Sequence, residues 1–318
     1  MIKLHLYKYF MLILLSLLMF SGCSKNDSTK ESYVVGVNIY MQHPILDQVL
    51  EGMKGQLKGQ SVRLDVKNAN KDNNTVLHIN QQFVMRKVDA IVALGTPSAQ
   101  NAVEHADGIP VVFGAITDPV GSKLAESIEK PGGNKTGTTN RWPFEDQVAL
   151  VAKLFPKAVV GLLVSPSEAN CVAGMAIIRA EAEKHGLKLV EVGITNTPDV
   201  MAATASLKGR CDLILITPSN VLFSGLDALI KTAEKNGVPV MGGDTTAVEK
   251  GSVATLAFSN HDVGIMTADL LMKVLNREKF EKVGDLPVEG PPESELVVND
   301  AMARKYGIDL SSVNKNGR

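Results

Sequence analysis

Two carboxylates stand where apolar, strand-like runs give way to turns. Asp118 follows Val111–Val112–Phe113 through Ala115–Ile116–Thr117, and Asp244 follows Gly242–Gly243 after the short run Val238–Met241. Such a pair can do acid–base work or hold an ammonium, although either residue alone also suits a turn. Three other stretches share a pattern: Thr96–Pro97–Ser98, Ser165–Pro166–Ser167 and Thr217–Pro218–Ser219 each follow an apolar run and precede a helical pattern. The hydroxyl is expected to cap the helix and the proline to fill its first turn. The exposed N–H groups and the helix dipole there favour an anion such as a carboxylate. One copy is simply a good cap. Three copies in both halves of the chain point to a carboxylate site among them, and Thr96–Ser98 is the expected one. For the ammonium of an amino acid, Asp244 is favoured over Asp118. Tyr40 ends the first strand-like run and Trp142 is the one tryptophan of the chain. Two such rings can stack a flat ligand, and Gln42 is counted with them.

The chemistry that would make an enzyme is missing. The sequence has no phosphate loop, no Gly-x-Gly-x-x-Gly, no Gly-x-Ser-x-Gly and no His-Glu-x-x-His. Its six histidines are scattered; His43 and His261 can reach a cleft, but each also sits where a helix starts. No cofactor and no metal site is expected, and ligand binding ranks above catalysis. A formal net charge of −1 gives no reason to expect nucleic acid as a partner.

The elements that must position these residues alternate. From Tyr33 to Asn276, strand-like runs and helical patterns follow one another, which predicts α/β architecture with parallel sheets flanked by helices. With 318 residues there is material for two lobes, each with its own core. Val111–Trp142 reads as the end of one lobe, a cleft edge and a crossing. The expected division is 33–139 with 258–286 for the first lobe, and 140–257 with 287–318 for the second. Val221–Asn236 reads as one helix. Pro287, Gly290, Pro291 and Pro292 mark a late linker.

Lys3 and Lys8 precede an apolar run from Tyr9 to Phe20, and Ser21–Gly22–Cys23 follows. A charged start, an apolar middle and small residues make an export signal over residues 1–22. Cys23 after Ser–Gly looks like the lipidated cysteine of a bacterial lipoprotein, with Phe20 in place of the usual Leu. A membrane-spanning anchor is the bland alternative, and the run is marginal for it. Residues 23–32 read as a polar, lipidated tether. Cys171 lies past the C-terminal end of one strand and Cys211 at the beginning of another, so both are expected as buried free thiols rather than a disulfide.

Taken together, His43–Pro44–Ile45–Leu46–Asp47, Thr96–Pro97–Ser98–Ala99–Gln100, Ile109–Pro110–Val111–Val112–Phe113, Thr117–Asp118–Pro119–Val120, Lys130–Pro131–Gly132–Gly133–Asn134, Thr136–Gly137 and Ser167–Glu168–Ala169–Asn170 resemble the substrate-binding proteins of ABC importers of the tryptophan/tyrosine type. The resemblance runs from about Tyr33 to Ile308. It implies a type I periplasmic-binding fold: two Rossmann-like parallel-sheet lobes, three crossings and a ligand closed between them. Thr96, Ser98, Asp118 and Asn170 match the family's cleft positions. Asn220 matches an Asn, with Ser219 where Asp is common. Asp244 matches an Asp, with Gly243 and Thr245 replacing Ser and Glu. The resemblance further implies an aromatic or other hydrophobic amino acid as ligand, an ABC permease with its ATPase as partner, and no catalysis. A monomer anchored by lipid outside a bacterial cytoplasm is the expected form. Presentation of the ligand to a membrane sensor, or an exported hydrolase using Asp118 or Asp244, are the alternatives.

Overall fold

The computed structural model describes residues 32–276, 282–291, 293–311 and 313. The export signal, Cys23 and the tether as far as residue 31 lie outside the described residues.

The first half alternates as its apolar periodicity predicts. In order come β1 (Tyr33–Ile39), α1 (Pro44–Gln56), β2 (Val62–Asn68), α2 (Asn73–Met85), β3 (Ala90–Leu94), α3 (Thr96–His105), β4 (Val111–Ile116) and β5 (Lys135–Thr139). The strands form one parallel sheet in the order β2-β1-β3-β4-β5. Strands β3 and β4 are buried along their whole length, which is why they read as unbroken apolar runs.

The second half repeats the scheme with α4 (Phe144–Leu154), β6 (Val159–Val164), α5 (Ala169–Lys184), β7 (Lys188–Gly193), α6 (Asp199–Ser206), β8 (Leu213–Leu215), α7 (Asn220–Ser224), α8 (Leu226–Asn236), β9 (Val240–Met241) and α9 (Thr245–Lys250). Its parallel sheet has the order β7-β6-β8-β9. The single helix expected over Val221–Asn236 is two, α7 and α8, divided at Gly225. A Cβ at Gly225 would stand 2.8 Å from the Val200 side chain, so the close approach of α6 holds this break open only to glycine.

The chain then returns. β10 (Ala254–Ala257) is followed by α10 (Asn260–Asn276), and β11 (Glu295–Val298), which precedes α11 (Asp300–Tyr306), pairs antiparallel with β10. Helix α10 lies against α1 with their backbones in contact. A Cβ on Gly52 would fall 2.0 Å from the His261 carbonyl oxygen, and one on Gly264 would fall 2.1 Å from that of Val49. Two glycines on facing helices thus fix α10 to the first sheet's half of the molecule. Val288 and Glu289 also stay with that half: Glu289 N–H donates to the Gly137 carbonyl at 3.0 Å, and Thr139 N–H donates to that of Glu289 at 2.9 Å. The last crossing therefore follows Glu289 rather than beginning at Pro287.

Cys171 and Cys211 are free, Cys171 buried and Cys211 half-buried rather than fully buried. Among the described residues no helix is long and apolar enough to cross a membrane.

Candidate functional site

Topology says where to look. In each sheet the second strand in sequence lies on one side of the first and the third on the other, so the connections leave in opposite directions and open a crevice beyond the strand ends. In the first sheet that switch lies between β1 and β3, whose ends feed Tyr40–His43 and Thr96. In the second it lies between β6 and β8, whose ends feed Ser165–Asn170 and Thr217–Asn220.

The two crevices meet in one cavity, a concave site between the lobes of the kind that small molecules occupy. The first lobe supplies His43, Ile45, Leu46, Thr96, Ala115 and Thr117. The crossing after β5 supplies Asn140 and Trp142. The second lobe supplies Asn170, Pro218, Ser219, Asn220 and Phe223. Two backbone features aim the first-lobe groups. Gly95, with φ +90°, turns β3 directly into α3 and sets Thr96 at the helix start. Ala115 has φ +57° at a bulge in the β4–β5 pairing, a conformation that costs an L-residue about 1–2 kcal/mol. Bulges of this kind re-aim side chains beside functional sites.

One wall is aromatic. The Trp142 ring meets Phe223 edge-on at 5.5 Å between centroids and Phe144 at 6.0 Å, and His43 lies 6.0 Å from Phe223. The other groups are polar, buried and only partly engaged. His43 Nε2 bonds Asn220 Oδ1 across the cleft at 3.0 Å. Asn170 Nδ2 donates to the Pro218 carbonyl at 2.6 Å. Left without a partner in the protein are His43 Nδ1, Asn140 Oδ1, Asn170 Oδ1 and Asn220 Nδ2. The residues carrying them are 4, 7, 6 and 8 % exposed. A buried polar atom without a partner costs roughly 1–3 kcal/mol, so this cluster is built for polar groups that come from elsewhere. Burial lowers the His43 pKa to about 4, with the bond to Asn220 opposing the shift.

Of the residues singled out from sequence, Thr96, Trp142, Asn170 and Asn220 come together in the cavity. Thr96 is the first residue of α3 rather than its cap, which is Gly95. Ser98 points the other way, its hydroxyl donating to the Asn38 carbonyl at 2.8 Å. Tyr40 packs in the first-lobe core, and burial, with the charges of Glu168 and Asp72, pushes its pKa up to about 12. Gln42 is exposed and bonds Asp47. Asp118 accepts from Gly121 N–H at 2.8 Å in a turn beside the cavity. Asp244 caps α9, with Oδ1 accepting from Ala247 N–H at 2.9 Å and Oδ2 accepting from Asn260 Nδ2 at 3.3 Å. Of the three Thr/Ser-Pro-Ser starts, Ser219 alone caps through its side chain, accepting from Leu222 N–H at 3.2 Å. Its hydroxyl in turn donates to the buried Glu168 carboxylate at 2.6 Å. Among the polar and aromatic residues of the cavity, sequence reasoning did not select His43, Thr117, Asn140, Ser219 and Phe223.

Two further bonds join the halves outside the cavity. Gln48 Nε2 donates to Thr246 Oγ1 at 2.7 Å, and the Lys71 ammonium donates to the Thr195 carbonyl. Among the described residues no group of three or more His, Cys, Asp or Glu could hold a metal ion.

Comparison with known proteins agrees with this geometry. Residues 34–314 match the family model described as ABC transporter substrate binding protein. The chain is 31% identical over 300 residues to a protein named tyrosine-binding protein from Clostridioides difficile, covering 89% of this chain and 86% of the other. A solved structure from Streptococcus pneumonia, an ABC domain in complex with L-Trp, is 30% identical with a TM-score of 0.84, over 90% of this chain and 99% of that one. A ligand-free, open substrate-binding protein with adhesive properties from Clostridium difficile is also 30% identical, but its TM-score is 0.66, over 89% and 98% of the two chains. At equal identity the gap in TM-score is one of shape, and the present arrangement lies nearer the L-Trp complex than the open form. More distant solute-binding proteins share the two-lobed, type I periplasmic-binding architecture. The chain belongs to the family of ABC transporter substrate-binding proteins, extracytoplasmic proteins that bind small molecules rather than transform them.

Proposed function

We propose that this protein captures an amino acid with a flat, aromatic side chain and delivers it to an ABC permease. The observation that carries the reading is a single cavity with an edge-on Trp142–Phe223 wall beside a cluster of unpartnered amide and imidazole groups. An amino acid has both halves of that complement: an apolar plate and a compact pair of charges. The names of the two relatives, a tyrosine-binding protein and an L-Trp complex, support the same class. A carboxylate is best served by Thr96 and the start of α3, with Asn220 Nδ2 as a further donor. L-Tyrosine and L-tryptophan should each bind in calorimetry, and saturating L-tyrosine should shift or quench Trp142 emission. Binding that leaves the emission untouched would remove Trp142 from the site, and failure of both amino acids to bind would remove the aromatic ligand.

The same reading has Cys23 carrying lipid, residues 23–32 serving as a tether, and the mature chain held at a membrane beside its permease. The support is the basic start, apolar run and Ser21–Gly22–Cys23. Cys23→Ser should leave the chain unprocessed or release it from the membrane fraction. Retention and normal processing of that variant would refute the anchor.

A further inference from the structure

Among the described residues that line it, the cavity has no carboxylate to balance an ammonium. Neither Asp118 nor Asp244 lines it, and its one ionisable residue is His43. What it offers instead is a set of acceptors. The Pro218 carbonyl can only accept, which fixes Asn170 with Nδ2 towards it and Oδ1 free. With the Asn220 amide oxygen facing the ring, the His43 proton sits on Nε2, and Nδ1 keeps its lone pair. Asn140 adds a third acceptor, Oδ1. A primary ammonium has three N–H donors and no acceptor.

We propose that His43 Nδ1, Asn140 Oδ1 and Asn170 Oδ1 together receive the ligand's primary ammonium, and that closure of the cleft on the ligand therefore requires His43 in its neutral form. This rests on the reading of the ligand as an amino acid and adds how its charge is recognised and what regulates capture. Protonated His43 would place an N–H where the ammonium must come, setting cation against cation in a buried site. Asn220 and Phe223, which meet the ring, come from α7 across the cleft, so the ring is enclosed by the second lobe and returns to water when the lobes part.

Among the described residues no charged group bonds to the ring to oppose this. Helix α7 carries no ionisable residue. Of the other ionisable residues on the surrounding segments, Asp47 is exposed, Tyr40 is packed in the core, the buried Glu168 bonds Ser219 through Oε2 and has no partner at Oε1, and Arg141 and Glu145 beside Trp142 pair with each other at 2.5 Å. The sign follows. His43 is harder to protonate in the closed form than in water, so closure is fully favoured above the open-form pKa and weakens as pH falls from there towards the closed-form value. For a ring that titrates near 6.5 when open and at about 4 when closed, affinity should fall roughly 20- to 30-fold between pH 7.5 and pH 5. The ligand's own ammonium and carboxylate do not titrate in that window.

The test is calorimetry of the whole chain at both pH values with L-tyrosine, L-tryptophan, their 2-hydroxy-acid analogues and the remaining common amino acids. The expected result is tight amine binding at pH 7.5, the predicted loss at pH 5, and at least tenfold weaker binding of the hydroxy acids. His43→Gln, which keeps an acceptor but cannot titrate there, should bind more weakly at pH 7.5 with a nearly flat pH profile. Ring ¹⁵N shifts of the wild-type protein give a second measurement if that variant folds poorly: Nδ1 of His43 should stay unprotonated in the complex at pH 5. A flat wild-type profile, a protonated Nδ1 in the complex, or equal binding of the hydroxy acids would overturn the proposal while leaving an aromatic ligand intact. A non-aromatic amine that shows the pH profile would sink the aromatic reading and keep this one. No binding by any amine would end both.

Discussion

The helix starts at α7 and α9 look alike in sequence. Each follows a short buried strand of the second sheet, and each is capped by a buried polar side chain, Ser219 or Asp244. They differ in what is left over. At α9 both Asp244 oxygens are engaged, one by Ala247 N–H and one by Asn260. At α7 the cap is also engaged, but the next residue, Asn220, reaches the cavity and keeps Nδ2 without a partner. Topology explains the difference. Strand β8 borders the switch point with β6, whereas β9 is the outer strand of its sheet. Of these two helix starts, the one that reaches the cavity follows the strand that borders the switch point, and the atom it leaves free belongs to the residue not used to finish the helix.

The strongest way to break that contrast is to remove the amide at α7. Asn220→Leu deletes the free donor and the cross-cleft partner of His43. Hydrogen bonds to charged partners contribute about 1.5–3 kcal/mol each, so affinity for L-tyrosine should fall roughly ten- to a hundredfold. Calorimetry showing less than a threefold loss would mean that Asn220 only braces the closed cleft.

The matching substitution at α9 should do the reverse. Asp244→Ala removes a cap and should lower stability to denaturant by about 1–2 kcal/mol, with affinity within twofold of the parent. Asp244→Asn sharpens the point. Burial raises the Asp244 carboxyl pKa, so the fold disfavours its ionised form. That penalty is absent below the unfolded-state pKa and grows as pH rises through the folded-state value. Asparagine keeps an oxygen for Ala247 and carries no charge, and Asn260 has an unpartnered Oδ1 with which to receive the new amide after a flip. Asp244→Asn should therefore match or exceed the parent's stability at neutral pH. A tenfold loss of affinity in either variant would restore Asp244 as the ammonium's partner.

The alternation of elements was legible because both sheets are parallel and covered on both faces, which leaves a plain record of buried runs and helical periods. Thr96 and Trp142 were legible from the residues themselves, one at a helix start past a buried run and the other as the one tryptophan at a crossing, whereas Asn170 and Asn220 came from the family resemblance alone. His43 gave half a signal: it follows a strand-like run, but a residue ahead of Pro44 reads equally well as a helix start. Asn140 was absorbed into the crossing, and Phe223, inside a helical pattern, reads as core. What local sequence cannot hold is the meeting of His43 and Asn220, 177 residues apart on different lobes. Tyr40 and Ser98 failed for the opposite reason. They stand at the right strand ends, yet Tyr40 turns into the core and Ser98 bonds back to β1.

That last pair gives the smallest and most local comparison, because Thr96 and Ser98 lie two residues apart at one helix start. Thr96 lines the cavity. Ser98, fully buried, ties α3 to the Asn38 carbonyl of β1. Thr96→Val keeps the shape of the side chain and deletes only the hydroxyl. It should weaken binding about tenfold or more if that hydroxyl meets a carboxylate, with stability to denaturant little changed. Ser98→Ala deletes one buried hydrogen bond and should cost about 0.5–1.5 kcal/mol of stability while leaving affinity alone. Measuring both quantities on both variants separates the roles without reference to any other residue. If Ser98→Ala weakened binding as much as Thr96→Val, the ligand would be reading the placement of the α3 N-terminus as a whole, through its backbone N–H groups, rather than the Thr96 hydroxyl.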